Sequence, residues 1–299
     1  MPLYSRRDLD GSQGKTVCVM DASTYVGFWI VQGLLQRGYT VHAAVQDGGD
    51  VESLIKLSGE RLKVLYVEML DYHSILDALR GCFALFYTFE LPQYDEMMVE
   101  IEVRAAHNVL EACAQTETIE KVVFTSSVAA VVWREDGNSV SDIHERHWSD
   151  VNLCRKLKLW YAAAKTLAER TAWALAMDRG VNMVTINTAL VVGPGSAYKT
   201  KGSTIAYLKG AAQMYENGVL ASADARFVAE AHICAYEHPS VYGRYICFDQ
   251  IVNSAKKANN LAETLRSLIP FPERCEDPTV YQQRLSNKKL SVLMAGYKE

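Results

Sequence analysis

Short apolar segments rich in β-branched residues alternate with longer amphipathic segments along the first two thirds of the chain. The short segments predict buried parallel strands at residues 16–20, 39–45, 61–66, 84–88, 121–125 and 181–187. The longer segments predict helices at residues 26–37, 96–114 and 157–177. Strands that alternate with helices build βαβ units, so we expect a parallel sheet covered by helices on both faces.

The pattern also predicts the domain organisation. Residues 15–194 are expected to form a Rossmann-type, doubly wound α/β core, to which the chain returns at about residues 220–250. The alternation weakens after residue 194, so residues 195–219 and 251–299 are expected to form a smaller substrate lobe over the carboxyl ends of the strands. Residues 1–14 are polar and predict a flexible tail.

Composition excludes several classes of function. The net charge of −4 gives no electrostatic reason to expect nucleic acid or an anionic membrane as partner, and no apolar stretch is long enough to span a bilayer. The N-terminus lacks the apolar core of a secretory signal. The seven cysteines include no CxxC pair, and the histidines lack metal-binding spacing. We therefore expect a cytoplasmic protein without a metal site.

Tyr161 and Lys165 form a YxxxK motif within the last predicted helix. Four-residue spacing puts both side chains on one helix face. A nearby ammonium favours the phenolate, so Lys165 is expected to lower the pKa of Tyr161 and ready it for proton exchange with a carbonyl or alcohol oxygen. The motif alone is weak evidence, because a chain of this composition contains about one by chance. The alternative is a half-buried tyrosine beside a solvated lysine.

Ser127 strengthens the interpretation of the YxxxK motif. It closes the segment KVVFTSS, which is a strand that ends in hydroxyl groups, and it precedes Tyr161 by 34 positions. The carboxyl ends of parallel strands face the ligand crevice, so Ser127 is placed to bind a substrate carbonyl oxygen. The alternative is a serine that only caps the strand. A strand-end serine and a helical YxxxK motif together are more specific than either alone.

The turn after the first strand departs from the pattern of a dinucleotide site. Such a turn uses three glycines, and here only Gly27 is present, with Asp21 and Thr24 at the other two places. At ~5 Å and an effective dielectric of ~20, the Asp21 carboxylate would repel a pyrophosphate by at most about 3 kcal/mol. The alternative is that Asp21 turns outward and caps the following helix.

The end of the second predicted strand gives no fixed positive charge for a 2′-phosphate. Gln46 stands where an arginine would meet that phosphate. Asp47 either bonds ribose hydroxyls or serves as a turn residue. The residues alone therefore favour neither NADP nor NAD.

Several stretches together resemble one family. They are residues 16–45, 122–128, 184–194, 224–232 and 243–245, with Trp148, Ser149, Asp150, Cys154, Trp160, Tyr161 and Lys165. Over about residues 16–295 the chain resembles the plant cinnamoyl-CoA reductase and dihydroflavonol reductase group of extended short-chain dehydrogenases/reductases. It is most similar to the divergent cinnamoyl-CoA reductase-like branch.

The resemblance implies a catalytic Ser127, Tyr161 and Lys165, NADPH as hydride donor, and a phenylpropanoid- or flavonoid-like carbonyl substrate. It also implies cofactor contacts from one set of residues. These are Asp21, Ser23, Thr24, Tyr25, Val26, Gly27, Gln46, Glu68, Met69 and Thr88. A homodimer through the helices at residues 96–114 and 157–177 is a further expectation.

The sequence differs from the family around the site. The family's glycines are replaced in the first turn, its arginine is Gln46, and a small Ala-Ser pair after Thr88 is replaced by Phe89 and Glu90. The thioester reductases carry Asn-Trp-Tyr-Cys-Tyr-Gly-Lys where this chain has LWYAAAK. An aldehyde or ketone is therefore expected as substrate ahead of a CoA thioester.

Three hypotheses follow from the sequence. The first is an NADPH-dependent carbonyl reductase of small molecules. The second is a catalytically weak or inactive relative that binds cofactor poorly and acts as a binding or regulatory protein. The third is a groove that takes NADH or another nucleotide.

Overall fold

The structure is a computed structural model that describes residues 14–57, 59–135, 142–194, 201–266 and 275–298. Most of the predicted tail at residues 1–14 lies outside the described residues, as do residues 195–200 and 267–274 of the predicted lobe. Within the described ranges, no helix is long and apolar enough to cross a membrane. The same ranges hold no group of three or more side chains arranged to bind a metal ion.

A seven-stranded parallel sheet forms the centre of the described chain. The strands of this sheet and of a smaller second sheet are β1 (Thr16–Met20), β2 (Thr40–Val45), β3 (Leu62–Tyr66), β4 (Ala84–Tyr87), β5 (Lys121–Ser127), β6 (Met183–Thr188), β7 (Leu190–Val192), β8 (Ala221–Asp224), β9 (Gly243–Cys247) and β10 (Gln250–Ile251). The large sheet has the order β3-β2-β1-β4-β5-β6-β9, and a small sheet has the order β10-β8-β7. The predicted doubly wound α/β fold is thereby confirmed.

Helices cover both faces of the large sheet. They are α1 (Tyr25–Gln36), α2 (Val51–Ile55), α3 (Tyr72–Leu79), α4 (Glu96–Gln115), α5 (Val151–Lys156), α6 (Trp160–Arg179), α7 (Lys201–Leu208), α8 (Ala211–Glu216), α9 (Ala225–Glu237), α10 (Ala255–Leu265) and α11 (Lys288–Lys298). Helices α1 and α9 pack on one face, and α3, α4 and α6 pack on the other. The β-branched strand residues therefore lie between two apolar layers.

The predicted start of the helix that carries Tyr161 is wrong. Residues 157–159 form a turn between α5 and α6, and Lys158 adopts a φ of +55° there. The backbone N–H groups of Leu157 and Leu159 donate to the carbonyls of Leu153 and Cys154, which ends α5. Helix α6 therefore begins at Trp160 and places Tyr161 in its first turn.

A buried ion pair fixes α6 against the sheet. Glu169 on α6 lies 2.7 Å from the Arg244 guanidinium on β9, and both side chains are buried. The Glu169 carboxylate also accepts hydrogen bonds from Ser126 and Asn187, each at 2.8 Å. Arg244 lies 3.7 Å from the centre of the Trp148 ring. The network joins β5, β6 and β9 to α6, directly beside Ser127.

Removing the charge of Glu169 should destabilise the fold. Glu169→Gln leaves the Arg244 guanidinium buried without a counter-charge, so we expect a loss of about 3 to 5 kcal/mol in the free energy of unfolding. Urea denaturation measures this loss. The matched control is Glu263→Gln, which breaks an exposed pair with Arg266 and should leave the midpoint unchanged. Equal midpoints for the two variants would contradict the assigned role of the network.

Candidate functional site

Most of the residues predicted for the site lie near the carboxyl ends of β1, β2, β4 and β5. Strand β1 pairs in parallel with β2 on one side and with β4 on the other. The strand order reverses at this point, because chain order runs outward from β1 to β3 and then from β4 to β9. Ligands of open α/β sheets bind in the crevice at such a reversal.

Ser127, Tyr161 and Lys165 are brought together at this edge. Ser127 is the last residue of β5, fully buried, and its Oγ accepts from the Ala129 N–H at 3.1 Å. A hydrogen bond between the side chains of Ser127 and Tyr161 works to lower the pKa of Tyr161. The Lys165 Nζ lies 5.7 Å from the centre of the Tyr161 ring. The three residues that the sequence predicts to be catalytic therefore lie close together in the structure.

Aromatic rings enclose Tyr161. The Tyr94 and Tyr207 rings meet it edge to face, with centroids 4.8 and 6.3 Å away, and only 8% of Tyr161 is exposed. A cavity of about 20 Å³ lies beside it, with room for about one water molecule. Its walls are formed by Val26, Glu90, Tyr161, Thr188, Ala189, Leu190, Val191, Ser203, Thr204 and Tyr207.

The pKa of Tyr161 is raised in this arrangement, whereas the sequence analysis predicted a lowered pKa beside Lys165. Burial raises the pKa of Tyr161 well above its usual value, and the carboxylates of Glu90 and Glu102 add to the rise. The Ser127 hydrogen bond opposes the rise without overcoming it. Tyr161 is therefore a protonated phenol at neutral pH, which suits a proton donor.

Lys165 is engaged by a residue that the sequence analysis missed. Its Nζ lies 2.6 Å from Glu102 Oε1 on α4, and it donates to the Phe89 carbonyl at 3.1 Å. Both charged side chains are buried. The expected alternative of a solvated lysine is therefore wrong. Glu102 lies on the buried face of α4, between Val99 and Ala106, and a glutamate at an apolar position was the signal in the sequence.

The Asp21 side chain points into the crevice and is 2% exposed. Its Oδ2 accepts from Gln46 Nε2 at 2.9 Å and from the Glu90 N–H at 3.3 Å, and the Ser23 hydroxyl lies 3.4 Å from Oδ1. Burial raises the pKa of Asp21 to about 7, although the hydrogen bonds from Glu90 and Gln46 oppose the rise. The alternative that Asp21 turns outward and caps the helix is wrong.

Thr24 caps the helix instead, and Gly27 allows the turn to close. The Thr24 hydroxyl accepts from the Gly27 N–H at 3.1 Å. Asp21 has a φ of +67°, in the left-handed region where glycine is favoured. A Cβ at Gly27 would lie 2.6 Å from the Asp21 carbonyl oxygen, so only glycine fits there. Thr88 Oγ1 donates toward the carbonyls of Met20 and Asp21 and ties the turn to β4.

The remaining residues predicted to contact the cofactor have different surroundings. Tyr25 donates from Oη to the Pro194 carbonyl at 3.0 Å, and Val26 lines the cavity. Glu68 and Met69 follow β3, where Glu68 is exposed and Met69 is buried. Asp47 is exposed in a turn, as one of its two alternatives predicted.

The donors at the turn fit an anionic group. The Ser23 hydroxyl, the Gln46 amide and the Glu90 N–H all surround one carboxylate, that of Asp21. Groups of this kind also hold phosphate oxygens at the start of a helix. The residues therefore fit a dinucleotide pyrophosphate once the Asp21 side chain swings out of the crevice.

Relatives of known activity match nearly the whole chain. Cinnamoyl-CoA reductase 1 of Petunia hybrida is 36% identical over 291 residues, covering 94% of this chain and 87% of that protein. Vestitone reductase from alfalfa, Medicago sativa, superposes with a TM-score of 0.72 at 27% identity, covering 93% of this chain and 91% of that one. These matches confirm the resemblance drawn from the sequence.

A further solved structure shares the fold. The yeast methylglyoxal/isovaleraldehyde reductase Gre2, complexed with NADPH, superposes with a TM-score of 0.72 at 19% identity, covering 94% of this chain and 93% of that one. Residues 18–241 match the model of the 3-beta hydroxysteroid dehydrogenase/isomerase family. The chain therefore belongs to this family, within the extended short-chain dehydrogenases/reductases.

Proposed function

We propose that this protein is an NAD(P)H-dependent carbonyl reductase of small molecules. The observation that carries the proposal is the meeting of Ser127, Tyr161 and Lys165 at the carboxyl edge of the sheet, where Tyr161 lines a cavity. The names of the relatives, which are reductases, support the same reaction class. The seven cysteines, all free and six of them buried, support a cytoplasmic location.

The chain's own residues supply the acid chemistry. Tyr161 Oη donates a proton to the carbonyl oxygen of the substrate, and the Ser127 hydroxyl donates a hydrogen bond that orients the same oxygen. A reduced nicotinamide, when bound, supplies the hydride that the carbonyl carbon accepts. Because Tyr161 is buried and protonated, it loses its proton only to an oxygen that gains negative charge in the reaction.

The cofactor would lie along the turn between β1 and α1. Ser23, Thr24 and Gly27 would face the pyrophosphate, and Gln46 would face the adenosine ribose. We propose NADPH as the cofactor, in line with the relative solved with NADPH, and NADH as the other candidate because Gln46 carries no charge. The carboxylate of Asp21 must leave the crevice in either case.

The substrate class is proposed from the family and from the cavity. We infer a phenylpropanoid- or flavonoid-like aldehyde or ketone, with a CoA thioester as a weaker candidate. The cavity of about 20 Å³ is too small for such a molecule. Helix α7, which carries Ser203 and Tyr207, and the segment that carries Glu90 and Tyr94 form its outer walls. We infer that these two segments separate when substrate enters.

One contact supports the competing hypothesis of a catalytically weak homologue. The bond between Asp21 and Gln46 occupies the donors that a cofactor would need. Isothermal titration with NADPH and with NADH separates the two hypotheses. Micromolar binding of either would support the reductase, and no binding of either would support the weak homologue.

Tyr161→Phe should abolish reduction of an aldehyde or ketone substrate. Removal of the phenol takes away the proton donor, so we expect kcat to fall by about 100-fold or more, with the fold intact. The matched control is Tyr94→Phe, which keeps an aromatic ring against Tyr161 and should change kcat only a few-fold. Steady-state kinetics measure both. Wild-type kcat in Tyr161→Phe would overturn the mechanism.

Asp21→Gly should tighten cofactor binding. The change removes a buried carboxylate and puts glycine at a positive φ, so we expect up to about 100-fold tighter binding of NADPH at pH 8. The pKa of Asp21 is raised to about 7, so below pH 7 the group is increasingly neutral and the gain should shrink at pH 6.

Titration calorimetry at the two pH values tests this. Asp47→Gly is the control, because Asp47 is an exposed acid in the nearby turn after β2. Any titration of the cofactor's own phosphate affects both variants equally. Equal affinity of Asp21→Gly and wild type at pH 8 would show that Asp21 does not obstruct the cofactor.

A further inference from the structure

Glu102 is a charged residue in an apolar layer. Helices α4 and α6 pack face to face on the sheet, and the inward face of α4 consists of apolar residues except at this position. Glu102 and Lys165 are 2% and 5% exposed, and Glu102 Oε1 lies 2.6 Å from Lys165 Nζ. A buried carboxylate is costly unless a cation compensates it, so the position of Glu102 depends on Lys165 and the reverse.

The contacts of Lys165 hold it in one place. Its ammonium binds Glu102 on one side and the Phe89 carbonyl on another. The second Glu102 oxygen, Oε2, is buried without a hydrogen-bond partner in the described residues. One carboxylate oxygen is thus devoted to Lys165, and the pair is a local contact rather than part of a wider network.

The charges around Tyr161 sum to a negative field. The titratable groups that face it are Glu90 and Tyr94 from the segment after β4, Glu102 from α4, Lys165 from α6 and Tyr207 from α7. An unpaired ammonium at 5.7 Å from the ring would favour the phenolate. A carboxylate in direct contact with that ammonium cancels most of its effect at this distance.

We propose that Glu102 is a positioning residue that anchors Lys165 against the Phe89 carbonyl and cancels its charge at Tyr161. The proposal deepens the proposed function, on which it rests for the role of Tyr161 as proton donor. Its consequence is that Tyr161 stays a weak acid. Glu102 and the Phe89 carbonyl engage two of the three N–H donors of Lys165, which leaves the third for a cofactor ribose.

The direct test is a spectroscopic titration of tyrosine that needs neither cofactor nor substrate. The titration is run on wild type and on Glu102→Gln, and each is compared with the same protein that also carries Tyr161→Phe. The difference in tyrosinate absorbance between the two members of a pair comes from Tyr161 alone among the 16 tyrosines. In the wild-type background we expect no difference below about pH 11. In the Glu102→Gln background we expect one additional tyrosinate to form below about pH 10, because the Tyr161 phenolate then replaces Glu102 as the counter-charge of the buried Lys165 ammonium.

Two further variants complete the titration. Glu100→Gln removes an exposed carboxylate from the same helix and should titrate like wild type. Glu102→Asp keeps the negative charge on a side chain that is one methylene shorter, so the carboxylate lies farther from Lys165. This variant replaces Glu102→Gln in the titration if Glu102→Gln does not fold. Its expected shift has the same direction and is smaller. Absence of the additional tyrosinate in the folded Glu102 variant would overturn the proposal.

A pH profile of kcat provides the second readout. In Glu102→Gln the decrease of kcat at alkaline pH should occur about one to two pH units lower than in wild type. A purely structural role would lower kcat equally at every pH. Suppose that Tyr161→Phe abolishes turnover while Glu102→Gln changes neither the tyrosine titration nor the pH profile of kcat. The proposed reductase activity would then be supported and the proposal for Glu102 would be wrong. If wild type lacks turnover, the reductase falls and the titration alone decides the role of Glu102.

Discussion

The parallel pairing of β1 with β4 is the constraint on which the site depends. Because the strand order reverses there, the segments that follow β1, β2 and β4 all leave the sheet at one edge. Asp21, Gln46 and Glu90 reach one another only through this geometry, although they are far apart in sequence. Strand β5 then adds Ser127 to the same edge. The order of the strands therefore decides which side chains lie together in the site.

The buried charged side chains around the site have local partners. Asp21 is surrounded by donors, Lys165 faces Glu102, and Glu169 faces Arg244. An unmatched charge in such surroundings would be costly, and matching makes the closed arrangement stable without a ligand. A ligand at this edge must therefore replace existing contacts rather than fill an empty groove.

Much of the fold could be predicted from sequence because strand burial and helix spacing are local signals. The bounds of β1 agree residue for residue, whereas the start of α6 depended on the positive φ of Lys158, which no periodicity indicates. The meeting of Ser127 with Tyr161 followed from strand order. The pairing of Lys165 with Glu102 did not, because it joins two helices whose relative rotation is decided by packing. The direction of the Asp21 side chain was undecided because its partners Gln46 and Glu90 come from the segments after two other strands.

Glu90 connects the two halves of the crevice. Its backbone N–H donates to Asp21 at the cofactor turn, and its carboxylate accepts from Ser203 on α7 at 2.8 Å. Expulsion of Asp21 would break the hydrogen bond that ties this segment, and through it Ser203 of α7, to the turn after β1. The two ligand sites would then open in sequence, with the dinucleotide entering first and the carbonyl compound second. Under the proposed function, this link through Glu90 corresponds in kinetic terms to an ordered mechanism.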